Sequence, residues 1–530
     1  MAKFRRYCVS LTLSLALPVW ADNAALILER GNGPEPSTLD PHRCQEVSCA
    51  NILRDLYEGL VSEDAQGQLI PGLAQRWEVS DDQREWTFWL RAGARWSDGS
   101  EIRAQQVVDS FMRARDPATL APLASVLNDI AAVHSPAPDV VRFQLHRPLH
   151  LLPRLTLPIA FPVRVDQVIR WGASHTQPDH WVGNGAYVLK AWTPQSQLRL
   201  QKNGYFHTPA AIEQVRYHVT EDAAAEYKRY LAGDLHITET VPPARLQELH
   251  ARHADALHVS PYLGVFFLGI NLRQGALAES LALRQALSLA IDRDRLVSSI
   301  TGMGEQPAER LLPSALGVAL PPVSPLAHTP TEREAQARAL YAEAGYGAQT
   351  PLQIELRFNT STPHRRMALA VAAMWREVLG VRTRLRNEEW KVFVQNRRQG
   401  RVTEVFRGGW IADLADPASF LDLFRSDSEL NWSGWQDARY DQLLDAAQST
   451  PDPWQRARLQ GAAEARLLAS QAILPLYFYT SKHLVTPMLT GFDANPLDRH
   501  PSRFMRWRDR PTSAASLDAT NAPLAGDRTP

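Results

Sequence analysis

Three short segments in the C-terminal half put cations, indoles and acids close together. They are Glu388-Glu389-Trp390-Lys391, Arg397-Arg398-Gln399-Gly400, and Arg407-Gly408-Gly409-Trp410-Ile411-Ala412-Asp413. Taken singly, each tryptophan or arginine reads as packing or as a surface ion pair. As a group they suit a zwitterionic ligand. An acid in a closed cleft pairs with an ammonium, an arginine with a carboxylate, and an indole covers an adjoining side chain. The paired glycines 408 and 409 let a ligand approach the main chain closely.

Catalytic chemistry finds no comparable support. The chain has no Gly-x-Ser-x-Gly elbow, no His-Glu-x-x-His, no phosphate-binding glycine loop and no Gly-x-Gly-x-x-Gly. His250, His253 and His258 are the nearest thing to a metal cluster, and their polar helical stretch reads better as solvated surface. The expectation is a binding protein without enzymatic activity, cofactor or metal. Two cysteines sit close together, Cys44 and Cys49, in His42-Arg43-Cys44-Gln45-Glu46-Val47-Ser48-Cys49. Zinc would need a second pair of ligands that His42 alone does not supply. A small disulfide loop is the better reading if the compartment is oxidising.

The first residues speak to that compartment. Lys3, Arg5 and Arg6 precede a short apolar stretch from Tyr7 to Pro18, and Val19-Trp20-Ala21 has small residues at its first and third positions. That is the pattern of a cleavable secretion signal over 1–21. Cys8 stands at the start of the apolar run and not after it, so no lipid anchor is expected, and the mature chain should begin near Asp22. Removing those three basic residues from a balance of 57 against 57 leaves a charge of −3. A near-neutral chain argues against nucleic acid or an anionic membrane surface as partner.

About 500 mature residues require two or three domains. Strand-like and helix-like segments alternate to position the charged residues. Trp86 to Leu90 reads as a strand followed by a turn over 94–99. Ala104 to Arg115 reads as an amphipathic helix that stops at Asp116-Pro117, and Leu281 to Val297 as another. Leu352 to Phe358 reads as a strand, Pro363 to Leu379 as a helix and Val381 to Leu385 as a strand. That order favours a mixed α/β architecture with parallel pairing. The segment 511–530, rich in Pro, Ser, Ala and Asp, reads as a disordered tail.

At this point the chain resembles the solute-binding proteins of oligopeptide and dipeptide ABC importers, extracellular solute-binding protein family 5. The resemblance runs from about Leu39 to Trp507. Leu39-Asp40-Pro41-His42, Asp55-Leu56-Tyr57-Glu58-Gly59-Leu60, and Pro71-Gly72-Leu73-Ala74 with Trp77 carry it first. Trp96-Ser97-Asp98-Gly99, Asn184-Gly185-Ala186-Tyr187 and Arg284-Gln285-Ala286-Leu287 with Ala290-Ile291-Asp292-Arg293 follow. Asn359-Thr360-Ser361 and Asp413-Leu414-Ala415-Asp416-Pro417 complete it. Each fragment is weak alone, and their order and spacing make the set strong.

The resemblance implies a periplasmic, two-lobed α/β binding protein (a Venus flytrap) with an additional α/β domain inserted in the first lobe. It places lobe I in 22–57, 179–268 and 487–510, the extra domain in 58–178 and lobe II in 269–486. Its partners would be a short peptide and an inner-membrane permease, and a monomer is the family expectation. Asp413 matches the aspartate that pairs with a peptide ammonium. Gly409 and Ile411 on one side, with Gln45 and Val47 on the other, match main-chain segments that sandwich the peptide as an added strand. Arg407 and His364 match residues that receive a C-terminal carboxylate, and Arg397 an arginine for a further ligand carboxylate. Trp390, Trp410, Tyr262 and Tyr479 match pocket aromatics, and Asn359 belongs to the same expected site.

This chain departs from the oligopeptide binders in three places. The cysteines that would join the regions of Gly264 and Ile411 are absent. Cys44 and Cys49 instead flank a peptide-facing segment. A lysine used for longer peptides falls near Thr301. The expectation is therefore short peptides, or peptide-like molecules with an additional carboxylate at Arg397. A non-peptide ligand on the same fold, or a sensing role, is the alternative.

Overall fold

The computed structural model describes residues 27–242, 245–318 and 329–508. The expected signal over 1–21 and tail over 511–530 lie outside the described residues. Three sheets, each with its own apolar core, organise the rest. The first is four-stranded: Ile27–Gly31 pairs in parallel with Gln214–His218, which continues antiparallel to Gln197–Lys202 and Tyr187–Thr193. Leu28, Leu189, Leu200 and Val215 from its strands pack with Ile52, Leu53 and Leu56 of the helix Val47–Leu56.

The second sheet has six strands in the order Gln306–Pro307, Ile473–Leu484, Leu257–Ile270, Val405–Ile411, Gln353–Asn359 and Arg382–Glu388. The strand Leu257–Ile270 shows why it needs cover on both faces. Leu263, Val265 and Phe267 point into one core, while Phe266, Leu268 and Ile270 point into the other, the period-two alternation of a pleated strand. The helix Thr362–Leu379 covers one face through Met367, Val371 and Trp375. The helices Ala438–Gln448 and Pro453–Ser470 cover the other through Leu443, Leu444 and Leu467. Gly380 ends the Thr362–Leu379 helix at φ 75°, a left-handed cap that a Cβ would strain. The parallel pairing expected around it is present: 353–359 pairs in parallel with both 382–388 and 405–411.

The third sheet is a four-stranded antiparallel one of Ala74–Val79, Glu85–Leu90, Val140–Leu145 and Ile130–Ala137. The helix Ala104–Arg115 lies over it with Val107, Val108 and Phe111 inward. The core of this extra body runs from Leu60 to Ala160, with Val182 packed against it, while Phe161 and Val163 pack in the first core. Gly269 sits inside strand 257–270, between Leu268 and Ile270 of the core under helix Thr362–Leu379. Pairing of that strand with 473–484 slips between Pro261 and Val265. One sequence expectation changes: the helix over 281–297 breaks after Leu289, and Asp292 caps a new turn by accepting from Arg295 N.

Candidate functional site

The strand Val405–Ile411 runs between two groups of the expected site residues. Its bond to 353–359 covers only Val405 and Phe406, so residues 407–411 pair on one side alone, with 264–268. The Ala412 N–H donates to Leu263 O at 2.8 Å, which sets the phase of the antiparallel ladder. Residues 412, 410 and 408 bond to the 257–270 strand, and 411, 409 and 407 turn their main-chain groups to the open edge. Arg397 Nη1 donates to Arg407 O from that open side, at 3.3 Å. Glycine is needed at 408 because a Cβ there would meet the Phe267 ring at 2.2 Å.

Beyond the C-terminal end of the strand, Asp413 lines a cavity of about 120 Å³ with Gln45, Val47, Arg54, Tyr262 and Ile411. Gln45 and Val47 belong to the first body and Ile411 and Asp413 to the second, so the cavity spans the cleft. Val47 is 56% exposed and Ile411 45%, apolar surface left without cover. The Asp413 carboxylate forms no ion pair among the described residues. Burial pushes its pKa up, against the opposing pull of Arg499 and Arg54. Arg499 is engaged elsewhere: it pairs with Glu63 at 2.7 Å and donates to the Asp413 main-chain oxygen. Burial lowers Arg54 to about 9, with Arg499 adding to the effect. Burial also raises the Tyr262 phenol.

At the other end the cations have no acid beside them among the described residues. Arg397 is buried, its guanidinium 3.4 Å over the Trp432 ring. Burial, then Arg407 and Arg398, push it down to about 9. Arg407 lies 5.2 Å over Phe266 and donates to the Tyr479 hydroxyl at 3.4 Å. The Nε of each arginine has no partner. His364 Nδ1 is 2.8 Å from the Asn359 side-chain oxygen, and burial with Arg407 beside it lowers the ring to about 4. Stacking a desolvated guanidinium on an indole recovers about 2 kcal/mol, less than the several kcal/mol its burial costs. The remaining cost is what an arriving carboxylate would relieve.

The structure thus gathers Asp413, Gln45, Val47, Tyr262 and Ile411 at one end. It gathers Arg407, Arg397, His364, Asn359 and Tyr479 at the other, with Gly409 between. Trp410 packs against the core that holds Leu263, Val265 and Phe267, its indole nitrogen without a partner. Trp390 is 49% exposed and meets Phe393 at 6.3 Å. Arg54, Arg499, Phe266 and Trp432 were not singled out from the sequence. Arg54 stands just before the motif over 55–60, and nothing in the order of residues points it or Arg499 at residue 413.

A larger cavity of about 330 Å³ lies behind Trp410, lined by His150, Arg154, Asp416, Asp422 and Arg425. Its acids are occupied: Arg425 pairs with Asp422 at 2.8 Å and Asp445 at 2.9 Å, and Asp416 meets His150 at 3.4 Å. Arg154 and Arg456, also in the lining, donate to the main-chain oxygens of Val126 and Thr450. Cys44 and Cys49 are bonded, with Cα atoms 6.0 Å apart. One group with metal-ligand spacing exists among the described residues, His483, Asp498 and His500. Protons account for it: Asp498 faces His483 Nε2 at 2.8 Å and His500 Nε2 at 3.0 Å, and His483 Nδ1 faces Thr238 O at 2.9 Å. Although burial opposes it, Asp498 drives the His483 pKa up to about 9.

Comparison with known proteins agrees with this arrangement. The family model for bacterial extracellular solute-binding proteins, family 5, matches residues 68–432. The chain is 35% identical over 501 residues to the periplasmic oligopeptide-binding protein OppA of Salmonella typhimurium, covering 90% of this chain and 91% of the relative. It is 36% identical over 493 residues to the periplasmic murein peptide-binding protein MppA of Escherichia coli, covering 89% and 91%. The unliganded open form of the murein tripeptide-binding protein MppA superposes with a TM-score of 0.82 at 33% identity, covering 91% of this chain and 97% of that one. With a charged cleft between two bodies and a family match over most of its length, this chain belongs to the bacterial extracellular solute-binding proteins of family 5.

Proposed function

We propose that this protein captures short peptides with free N-termini in the cleft and delivers them to an inner-membrane ABC permease. The observation that carries the reading is the open main-chain edge at Gly409 and Ile411, set between a lone carboxylate and two guanidiniums, the buried one of Arg397 and the half-buried one of Arg407. A peptide added to that edge satisfies its own amides whatever its side chains are. Its ammonium meets Asp413, with Gln45 and Val47 closing from the opposite lobe. Its carboxylate meets Arg407, beside a neutral His364, and a further ligand carboxylate meets Arg397. Asp413 and Arg407 are six residues apart, about 20 Å along an extended chain. A tripeptide covers about 10 Å of that, and the aspartate and arginine side chains reach inward from both ends.

The accompanying reading is a monomer secreted through a leader cleaved before Asp22. Lobe closure at the slip in pairing between Pro261 and Val265 would bring the walls together. The test is native mass spectrometry of the mature protein as purified, followed by sequencing of whatever denaturation releases. Copurified short peptides with free amines are expected. A cleft filled by a metal chelate or another non-peptide would overturn the peptide reading and leave the family assignment untouched.

A further inference from the structure

The first-body wall of the cleft is a covalent ring. The Cys44–Cys49 bond encloses residues 45–48. Both cysteines are buried in the first core, beside Leu39, Ile52 and Leu53. Gln45 and Val47, between them, are exposed and line the cavity that holds Asp413. The ring therefore keeps its sulfurs in the core and turns Gln45 and Val47 to the cavity.

Few noncovalent bonds hold that face. Cys44 and Glu46 are extended, at φ −72° and −110°, while Val47 opens a helix. Glu46, at the cap position, gives that helix no side-chain hydrogen bond, because its carboxylate accepts from Ser37 N at 2.8 Å and Ser37 Oγ at 2.7 Å. The main chain adds Ala50 N to Glu46 O at 3.2 Å, and Asn32 Nδ2 reaches Ser48 O at 3.0 Å. An extended segment that turns straight into an uncapped first helical turn is costly to order. A crosslink across that junction removes the cost in advance. Loop-closure stabilisation grows with loop length, so a ring closed over five residues of separation is poorly suited to staple the whole fold. It is well suited to hold one short wall.

We propose that Cys44 and Cys49 are positioning residues for ligand capture. Their bond holds Gln45 and Val47 in place against the open edge of Gly409 and Ile411, so a peptide does not have to order this wall when it binds. This inference rests on the peptide reading. Opening the ring with a dithiol breaks the S–S bond and leaves two cysteine thiols. The reductant gives up two electrons and two protons and closes to its own disulfide.

The experiment compares trialanine binding, by calorimetry at 20 °C, to three forms of the mature protein. These are oxidised wild type, dithiol-treated wild type and the double variant Cys44→Ser/Cys49→Ser, each with its thermal midpoint and far-UV dichroism. The expected result is affinity about tenfold weaker in both opened forms, mainly through faster dissociation, with the dichroism unchanged and the midpoint lowered by only a few degrees. Equal affinity in all three forms would overturn the positioning role and leave the peptide reading standing. A collapse of the midpoint toward the assay temperature would assign the bond to global stability instead. Oxidised wild type that binds neither trialanine nor its copurified peptides would overturn the peptide reading, and this inference with it.

Discussion

The two ends of the cleft manage charge in opposite ways. Asp413 is exposed to the cleft and already faced by the other lobe, through Gln45 and Val47. Arg397 and Arg407 are held within the second body and lie on the rings of Trp432 and Phe266. On the proposed reading, the acid end takes a small ammonium and needs both walls. The basic end is built by one lobe, and its unpaired guanidiniums are held only partly compensated. Capture should therefore depend on lobe closure at the Asp413 end and on preformed packing at the Arg397 end.

The largest expected effect breaks the acid end. Asp413→Ala should weaken free-amine tripeptides by about two to three decades, and N-acetylation of the peptide should cost wild type a similar amount. Calorimetry that finds both changes harmless would remove Asp413 as the anchor. Gly408→Ala tests the strand joining the two ends. With the new Cβ against Phe267, unfolding stability should fall by about 1–3 kcal/mol, read from denaturant midpoints. An unchanged midpoint would mean that the Phe267 ring moves freely, and the strand would then be less constrained than its contacts imply.

Arg397→Ala sharpens the basic end. Ligands with a further carboxylate should lose about tenfold in affinity, and simple tripeptides less than threefold. Equal losses would make Arg397 a packing residue. The smallest effect is pH dependence. The raised pKa of Asp413 means that its charged form is lost from a higher pH than for an ordinary carboxylate. Free-amine affinity should therefore fall, by a few-fold, as pH drops from 7 to 5. His364, at about 4, stays neutral over that range, and Arg397, at about 9, stays charged. Asp413→Asn should consequently give a flat profile, and a slope that survives this change would point to another titrating group.

Much of this site was legible in order of residues, because its strand carries Arg407, Gly409, Ile411 and Asp413 within seven positions. The helix Ala104–Arg115 and the strands around Thr362–Leu379 were readable for the same reason: their periodicity and stop signals are local. The helix over 281–297 was misread because apolar spacing continues past Leu289 while Asp292 starts a fresh cap. Which core Phe161 joins was not readable, because it belongs to whichever core it reaches, and reach is not a property of neighbouring residues.

What the amino-acid sequence determined by itself was the short-range chemistry. It specified which strand carries the charges, where glycine must stand, and which two cysteines are close enough to bond. Only the tertiary structure decided what those groups meet. Arg397 finds Trp432, thirty-five positions on, and Asp413 shares a cavity with Val47 from the other end of the chain. Such meetings depend on how the separately packed cores are joined, and burial, which sets the cost of each charge and pushes the pKa values of Asp413 and Arg397, exists only once they are.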